Sequence, residues 1–273
     1  MRFAVIADIH ANLTALQSVL SAIDAREGVD RIVCVGDVVG RGPHPNEVLS
    51  LLRERQIETV LGNYDDAVAF DRLGSGVDFA RAEDEDLDQV AVAWTRRTLT
   101  PENLAHLRGL PRDLRLFPIG SRVGVSRDEL HKSAGVQGRQ FFMRSLFGGL
   151  YRAPPSRVRR VLVLHGSPRA LNERVTGDTA NTILSAIANE AKADLLISAH
   201  AGESFHREAA GMAFIGVGGV SGPHAHPGEA EYAVVDVRGE TRVEFGTASY
   251  NVQEHVRAIG AAGLPRELAA DLR

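Results

Sequence analysis

Apolar residues fall along this chain in short runs that each stop at a polar side chain. Phe3 to Ala7 stops at Asp8, Ile32 to Val35 at Gly36-Asp37, and Glu58 to Leu61 at Gly62-Asn63. Later, Val161 to Leu164 stops at His165-Gly166, and Leu195 to Ser198 stops just before His200. Runs of this length predict buried strands. Between the first two, Leu13, Leu16, Val19, Leu20 and Ile23 recur at helical spacing behind a capping residue, Asn12, and Gly28 ends the pattern. Residues 44–55 read as a helix after Pro43, 64–110 as helical and polar, and 179–191 as a further helix. Ala213 to Val217, Tyr232 to Val237 and Arg242 to Phe245 add strands, the last two joined by a turn at Arg238-Gly239-Glu240. The tail from Val252 to Leu272 is helical with a break at Gly263-Leu-Pro265. Strand, helix, strand in succession predicts a mostly parallel sheet with crossover helices.

No repeat or low-complexity linker divides the 273 residues. The expectation is one domain over 1–273 with an insertion at about 118–158, where six glycines and three prolines replace the periodic pattern. Composition changes this picture little. Hydrophobic residues at 44% and charged residues at 24% are ordinary for a globular chain. A net charge of -4 gives no overall attraction to nucleic acid or an anionic membrane. No apolar run approaches the roughly 20 residues of a membrane span, and the charged N-terminus is not a signal peptide. The single cysteine, Cys34, lies within an apolar run, reads as a buried small hydrophobe and suits a reducing cytoplasm.

The chemistry lies at the strand ends. In a parallel sheet all these ends open on one edge, where open α/β sheets bind ligands. An Asp or His after one strand is ordinarily a helix cap or a hydrogen-bonded structural residue. Five strands in order that each end in Asp, Asn or His gather oxygen and imidazole donors into one cluster. That donor mixture suits Mn, Fe or Zn better than Ca or Mg. The acidic run Glu83-Asp84-Glu85-Asp86 reads as a solvated helix start, and Trp94 as packing.

The order Asp8-x-His10, then Gly36-Asp-Val-Val-Gly-Arg-Gly42, Gly62-Asn-x-Asp65, His165-Gly166 and a late His200 resembles the calcineurin-like metallophosphoesterases. The likeness runs from residue 2 to about 250. It is greatest to the small bacterial phosphodiesterase-like branch, through Gly36-Asp-Val-Val-Gly, Pro45-Asn-Glu and His165-Gly-Ser-Pro168. The resemblance implies an α/β fold, a four-layer α/β/β/α sandwich. It implies two divalent transition metals, Mn foremost with Fe or Zn as alternatives. Asp8 and His10 would hold the first, Asp37 would bridge both, and Asn63, His165 and His200 would hold the second. It implies hydrolysis of a phosphoester by a hydroxide shared between the metals, with Asp37, Asn63, Tyr64 and Asp65 in the catalytic set and Asn12, Arg41 and Tyr64 facing substrate.

Two departures from the family pattern stand out. The usual Gly-His-x-His is here Ala199-His200-Ala201-Gly202, so one ligand of the first metal is missing, with Glu203, His206, His224 and His226 as candidate substitutes. The His that often follows Gly-Asn is Tyr64, a poorer acid at neutral pH. That favours esters whose leaving group departs with little protonation, nucleotides and aryl esters among them.

The insertion carries a local charge bias. Between Leu130 and Asn172 there is no Asp or Glu but there are Lys132, Arg139, Arg144, Arg152, Arg157, Arg159, Arg160 and Arg169, interleaved with Phe141, Phe142, Phe147 and Tyr151. It reads as a lid gripping a phosphorylated substrate, a self-association surface, a nucleic-acid groove (the least favoured), or an excursion packed on the body. The expected partner is a small, nucleotide-like phosphorylated substrate, with a homo-oligomer through the insertion as a further expectation and no membrane. The competing function is a degenerate metal-binding or scaffold protein on the same fold.

Overall fold

A computed structural model describes residues 1–117, 160–221 and 227–272. The insertion at 118–158, Arg159, and His224 and His226 lie outside the described residues, whereas Arg160 and Arg169 are described and pair with Asp194 and Glu173.

Two five-stranded mixed sheets stack face to face with helices on their outer sides. The first sheet is built from β1 (Arg2–Ile6), β2 (Arg31–Cys34), β3 (Glu58–Thr59), β9 (Glu229–Asp236) and β10 (Arg242–Ser249). Its order is β10-β9-β1-β2-β3, with β1, β2 and β3 parallel. The second contains β4 (Asp113–Leu116), β5 (Val161–Leu164), β6 (Leu195–Ser198), β7 (Phe205–Ala209) and β8 (Met212–Gly216). Its order is β4-β5-β6-β8-β7, with β5, β6 and β8 parallel. Alternation along the strands explains the layers. Phe3 and Val5 of β1, Val161 and Val163 of β5, and Leu195 and Ile197 of β6 enter the core between the sheets. Ala4 and Ile6 face the helices of the first sheet, while Leu162, Leu164 and Leu196 face the other side. Strands covered on both faces read as unbroken apolar runs, the pattern that marks them in the sequence.

The helices follow the crossovers. α1 (Leu13–Asp24) starts where the Asn12 carboxamide oxygen accepts the Ala15 N–H, and it buries Leu16, Val19, Leu20 and Ile23. α2 (Pro45–Glu54) has Pro45 at its first turn. The second sheet is covered by α6 (Asn181–Ala191), through Leu184, Ile187 and Ala191.

Two expectations are corrected here and a third is met. Residues 64–110 form three separate helices, α3 (Asn63–Ala69), α4 (Ala82–Thr98) and α5 (Pro101–Arg108), and 71–81 is an irregular loop. Gly74 and Gly76 interrupt it, and Asp88 of α4 accepts the Ser75 N–H at 2.7 Å. The strands β4 and β7 were not expected. Both are antiparallel edges with one apolar face, so their hydrophobic signal is halved: in β4 only Leu114 and Leu116 reach the core between the sheets. The tail does break at Gly263, into α7 (Val252–Ala261) and a 3-10 turn over Arg266–Leu272 that packs on α4 through Ile259, Leu264 and Leu268.

Candidate metal centre

The parallel strands of both sheets end on one edge. Asp8 follows β1, Asp37 follows β2, Asn63 opens α3 after β3, His165 follows β5 and His200 follows β6. Asp8, His10, Asp37 and His200 all adopt left-handed backbone conformations, with φ of 49°, 46°, 50° and 64°. Each such residue without glycine's freedom costs about 1–3 kcal/mol, a strain that concentrates where geometry serves function. Backbone bonds hold the turns, from Asp8 N–H to Gly36 O at 3.1 Å and from His10 N–H to Asp37 O at 2.9 Å. Gly36 is required here: at φ 89° a β-carbon would stand 2.7 Å from the Gly62 nitrogen.

The side chains converge. Asp37, His165 and His200 each place one ligand atom within 4.8 Å of the others. His165 is fully buried, donates Nδ1–H to the Val35 carbonyl at 2.7 Å, and turns Nε2 toward Asn63 Oδ1 at 2.9 Å and Asp37 Oδ2 at 3.3 Å. A backbone acceptor on Nδ1 fixes the tautomer that leaves Nε2 as the ligand atom of a neutral ring. Asp8 Oδ1 lies 3.7 Å from His165 Nδ1, and His10 Nε2 lies 3.9 Å from Asp37 Oδ2. Asp8 Oδ1 and His10 Nδ1 are buried without a hydrogen-bond partner among the described residues. Unsatisfied buried acceptors beside a carboxylate and imidazole cluster fit divalent cations. The donor set suits a transition metal, with Asp8, His10, Asp37, Asn63, His165 and His200 as the residues that would hold one or two ions.

Charge inside the cluster is strongly coupled. Burial would raise the Asp37 carboxyl, but His165, with His10 and His200, outweighs it and holds the group at about 2. Burial would lower His165, but Asp37 and then Asp8 overcome it and push the ring up to about 9. Burial raises Asp8 to about 7 against the pull of His165. It lowers His10 and His200 to about 4 each. Without metal, one proton on His165 thus substitutes for the positive charge the carboxylates need.

The cluster opens into a cavity of about 420 Å³ lined by Asp8, His10, Asp37, Arg41, Tyr64 and His200, and also by Arg174, Phe79 and His255. Tyr64 is 5% exposed and meets the His10 ring edge to face at 4.8 Å. Burial, reinforced by neighbouring Asp88, pushes its hydroxyl pKa up, so Tyr64 is no ready proton donor. Asn12 is 1% exposed and caps α1 through its Oδ1, while its Nδ2 has no hydrogen-bond partner among the described residues.

Asp65 reaches back to cap the start of α3. It is fully buried and accepts the N–H groups of Val39 and Gly62 at 3.0 Å each, tying the Gly36–Gly42 loop to α3. Burial and the nearby Asp37 raise its carboxyl to about 7. Asp65→Ala would leave two buried donors unmet. The expected loss is about 2–4 kcal/mol in urea unfolding of the metal-free chain, and a loss below about 1 kcal/mol would refute this role.

Gly202, at φ 69°, faces open space, with no atom within 4 Å of where a β-carbon would stand. Glu203 and His206 do not reach the cavity: His206 lies on the outer face of β7 beside Glu208.

Asp88 is a residue that sequence reasoning misses. Its carboxylate accepts the Ser75 N–H, and the Ser75 carbonyl accepts Asn63 Nδ2–H at 3.1 Å, so a chain of bonds runs from α4 to the centre. Its only signal is a lone Asp on the inner face of an otherwise acidic helix. Asp88→Ala is expected to weaken Mn²⁺ affinity about tenfold in calorimetric titration. Unchanged affinity would make Asp88 a purely structural brace.

This fold and edge define a protein built to hold metal at the carboxyl ends of two stacked sheets. The chain belongs to the calcineurin-like phosphoesterase family, whose model matches residues 1–204. It is similar to the MJ0912 protein of Methanocaldococcus jannaschii, 40% identical over 114 residues, 40% of this chain and 41% of that one. The match therefore spans about two fifths of that relative. A metallophosphoesterase from Sphaerobacter thermophilus superposes with a TM-score of 0.68 at 24% identity, over 100% of this chain and 98% of the other. The PH1004 protein of Pyrococcus horikoshii gives 0.72 at 20% identity, over 99% and 97%. These two show the fold. No helix among the described residues is long and apolar enough to cross a membrane.

Proposed function

We propose that this protein is a binuclear metallophosphoesterase that hydrolyses a small phosphoester, diester or nucleotide-like in preference to a simple monoester. The observation that carries the reading is the Asp37, His165 and His200 cluster beside the unpartnered Asp8 Oδ1 and His10 Nδ1. Bound divalent cations would supply positive charge against the phosphoryl oxygens, the largest expected contribution to catalysis. Mn²⁺ is the first choice, with Fe or Zn as alternatives.

The chain's own residues do the rest. Asp37 sits between His10 on one side and His165 on the other, where a carboxylate can serve two ions. Its Oδ1 also accepts the Tyr64 N–H at 2.9 Å, which keeps Oδ2 turned toward the histidines. Asn63 is held by Ser75 and His165, so its carboxamide cannot swing away. Arg41 and Arg174 line the cavity and bring guanidinium groups to the substrate side. Tyr64, buried and hard to ionise, shapes the wall and leaves departure to esters that need little protonation. A cytoplasmic setting accords with the single buried free cysteine, Cys34.

The degenerate binding-protein reading rests on Gly202 alone. Hydrolysis of bis-p-nitrophenyl phosphate and p-nitrophenyl phosphate by stripped protein, with Mn²⁺ titrated back, separates the two. Metal-dependent turnover lost in His200→Ala, and faster for the diester, is the expected result. No turnover with one bound metal or none would replace the enzyme by the binding protein.

A further inference from the structure

The metal-ligating side chains form only part of the cavity lining. A volume of about 420 Å³ falls in the range of sites that enclose a whole small molecule, well beyond a lone phosphoryl group. The same cavity is also lined by Val77 and Phe79 of the 71–81 loop and by His255 and Leu268 from the C-terminal elements, while Asn172 and Arg174 stand beside His200.

Two aromatic rings reach this cavity, and they differ. Tyr64 is packed edge-on against His10, and its ring blocks any β-carbon at Gly40. Phe79 is half-buried, so part of its ring remains open to the cavity. The loop carrying Phe79 is pinned in place at three points. Asn172 Nδ2–H donates to the Gly76 carbonyl at 2.7 Å, Asn63 donates to the Ser75 carbonyl, and Asp88 accepts the Ser75 N–H. A flat apolar ring on a braced loop, facing an open volume, is a stacking platform.

His255 supplies the polar counterpart. It is 3% exposed on α7, and its Nδ1 has no hydrogen-bond partner among the described residues. Burial lowers its pKa to about 4, with neighbouring His44 adding to the effect, so the ring is neutral at pH 7 and offers one donor and one acceptor. A buried, unsatisfied imidazole in a cavity wall is costly unless a ligand answers it. Arg174 adds a cation to the cavity lining. Its guanidinium reaches the Ala201 carbonyl at 3.3 Å, and no carboxylate among the described residues pairs with it.

We infer that the part of this cavity lined by Phe79 and His255 is a base-binding subsite, in which the heterocycle of a nucleoside phosphoester stacks on Phe79 and hydrogen-bonds His255 while its phosphoryl group lies at the metal edge beside Arg174. The inference rests on the phosphoesterase reading for the placement of the phosphoryl group. It names the substrate class as nucleotides and their esters. It also assigns Phe79 and His255 to substrate selection, apart from the metal chemistry.

The test is equilibrium binding to the Mn²⁺-loaded full chain. The probes are the non-hydrolysable phosphonate analogues of adenosine 5′-monophosphate and of ribose 5-phosphate, in which carbon replaces the ester oxygen. They differ only by the base. The adenosine analogue should bind about tenfold more tightly, in line with one stacked base. Phe79→Ala and His255→Ala should each reduce that ratio to below about threefold. Phe79→Leu, which keeps apolar bulk and removes the flat ring, should do the same and guards against a collapsed loop in the Ala variant. Equal affinities in the parent protein, or a ratio unchanged in all three variants, would overturn the subsite. Hydrolysis of the p-nitrophenyl esters reports separately on the phosphoesterase reading. Turnover without a base preference would remove the subsite and keep the enzyme, whereas a base preference without turnover would do the reverse.

Discussion

Asp37→Ala should remove metal-dependent turnover of bis-p-nitrophenyl phosphate, by at least about 10³-fold in kcat/KM. The expectation follows from the position of its carboxylate, 3.3 Å from His165 Nε2 and 3.9 Å from His10 Nε2, where the ligands of both proposed ions meet. Titration calorimetry should show at least one fewer tight Mn²⁺ equivalent. A second, independent readout lies in the metal-free protein. Asp37 is the largest influence holding the His165 pKa at about 9 against the effect of burial. Without that carboxylate a buried imidazolium has lost its partner, and the ring should shed its proton. An NMR titration of His165 in the metal-free variant should therefore show a pKa well below the parent's value of about 9. Parent-like turnover in Asp37→Ala would sink the proposed centre. A His165 pKa unchanged from the parent would mean that Asp8 alone sustains the charge. Asp37→Asn keeps an oxygen to accept the Tyr64 N–H and removes the charge. It should fold as the parent does and remain inactive, which separates loss of metal from loss of structure.

The second large effect is on stability against pH in the absence of metal. His165 keeps its proton to about pH 9 in the folded chain, against 6.5 when unfolded. Its contribution is complete below 6.5 and is lost as pH rises through 9. Asp8 and Asp65, both raised to about 7, act in the same direction between 3.8 and 7. His10, His200 and His255, each lowered to about 4, act oppositely: the unfolded chain takes up those protons below 6.5, so stability falls as pH drops from 6.5 to 4. The metal-free protein should thus be most stable near about pH 6.5. It should lose up to about 3 kcal/mol by about pH 9, visible as a lower urea midpoint. Cations replace these protons, so Mn²⁺ affinity should climb between about pH 6.5 and 8. A metal-free chain more stable at about pH 9 than at about pH 6.5 would contradict the proposed charge balance.

The edge of the fold that carries the chemistry was the most legible part of the sequence. The parallel strands β1, β2, β5 and β6 show as apolar runs and lead into Asp8, Asp37, His165 and His200, whereas β8 ends on Gly216 and β3 is only Glu58–Thr59. The edge strands were hidden for a physical reason. In β4 the only apolar side chains are Leu114 and Leu116, in β7 only Phe205 is buried, and with four or five residues each they leave too short a pattern to read. The 71–81 loop was hidden differently. It is shaped by Asn172, Asp88 and Asn63, which lie outside it in the sequence, so no local pattern announces it. Asn12 was legible as a cap and is one. The helix start uses its oxygen and leaves its amide nitrogen without a partner among the described residues. Phe79 and His255 carry no motif, because only the folded cavity brings them near the cluster.

One geometric fact bears on how this chain tolerates change. The ligands come from both sheets, and Asn63 and His165, in direct contact, stand 102 residues apart in sequence. An ion held between them would close that stretch into a ring in the folded chain only, and would stabilise that state by mass action because the unfolded chain does not hold the site. Residues 118–158 lie inside that ring. Entropy of closure grows only by about 0.6 kcal/mol for each doubling of loop length. Lengthening or shortening the insert would therefore alter the grip of such a clasp very little, leaving this stretch free to diverge while the strand ends on either side stay fixed by coordination.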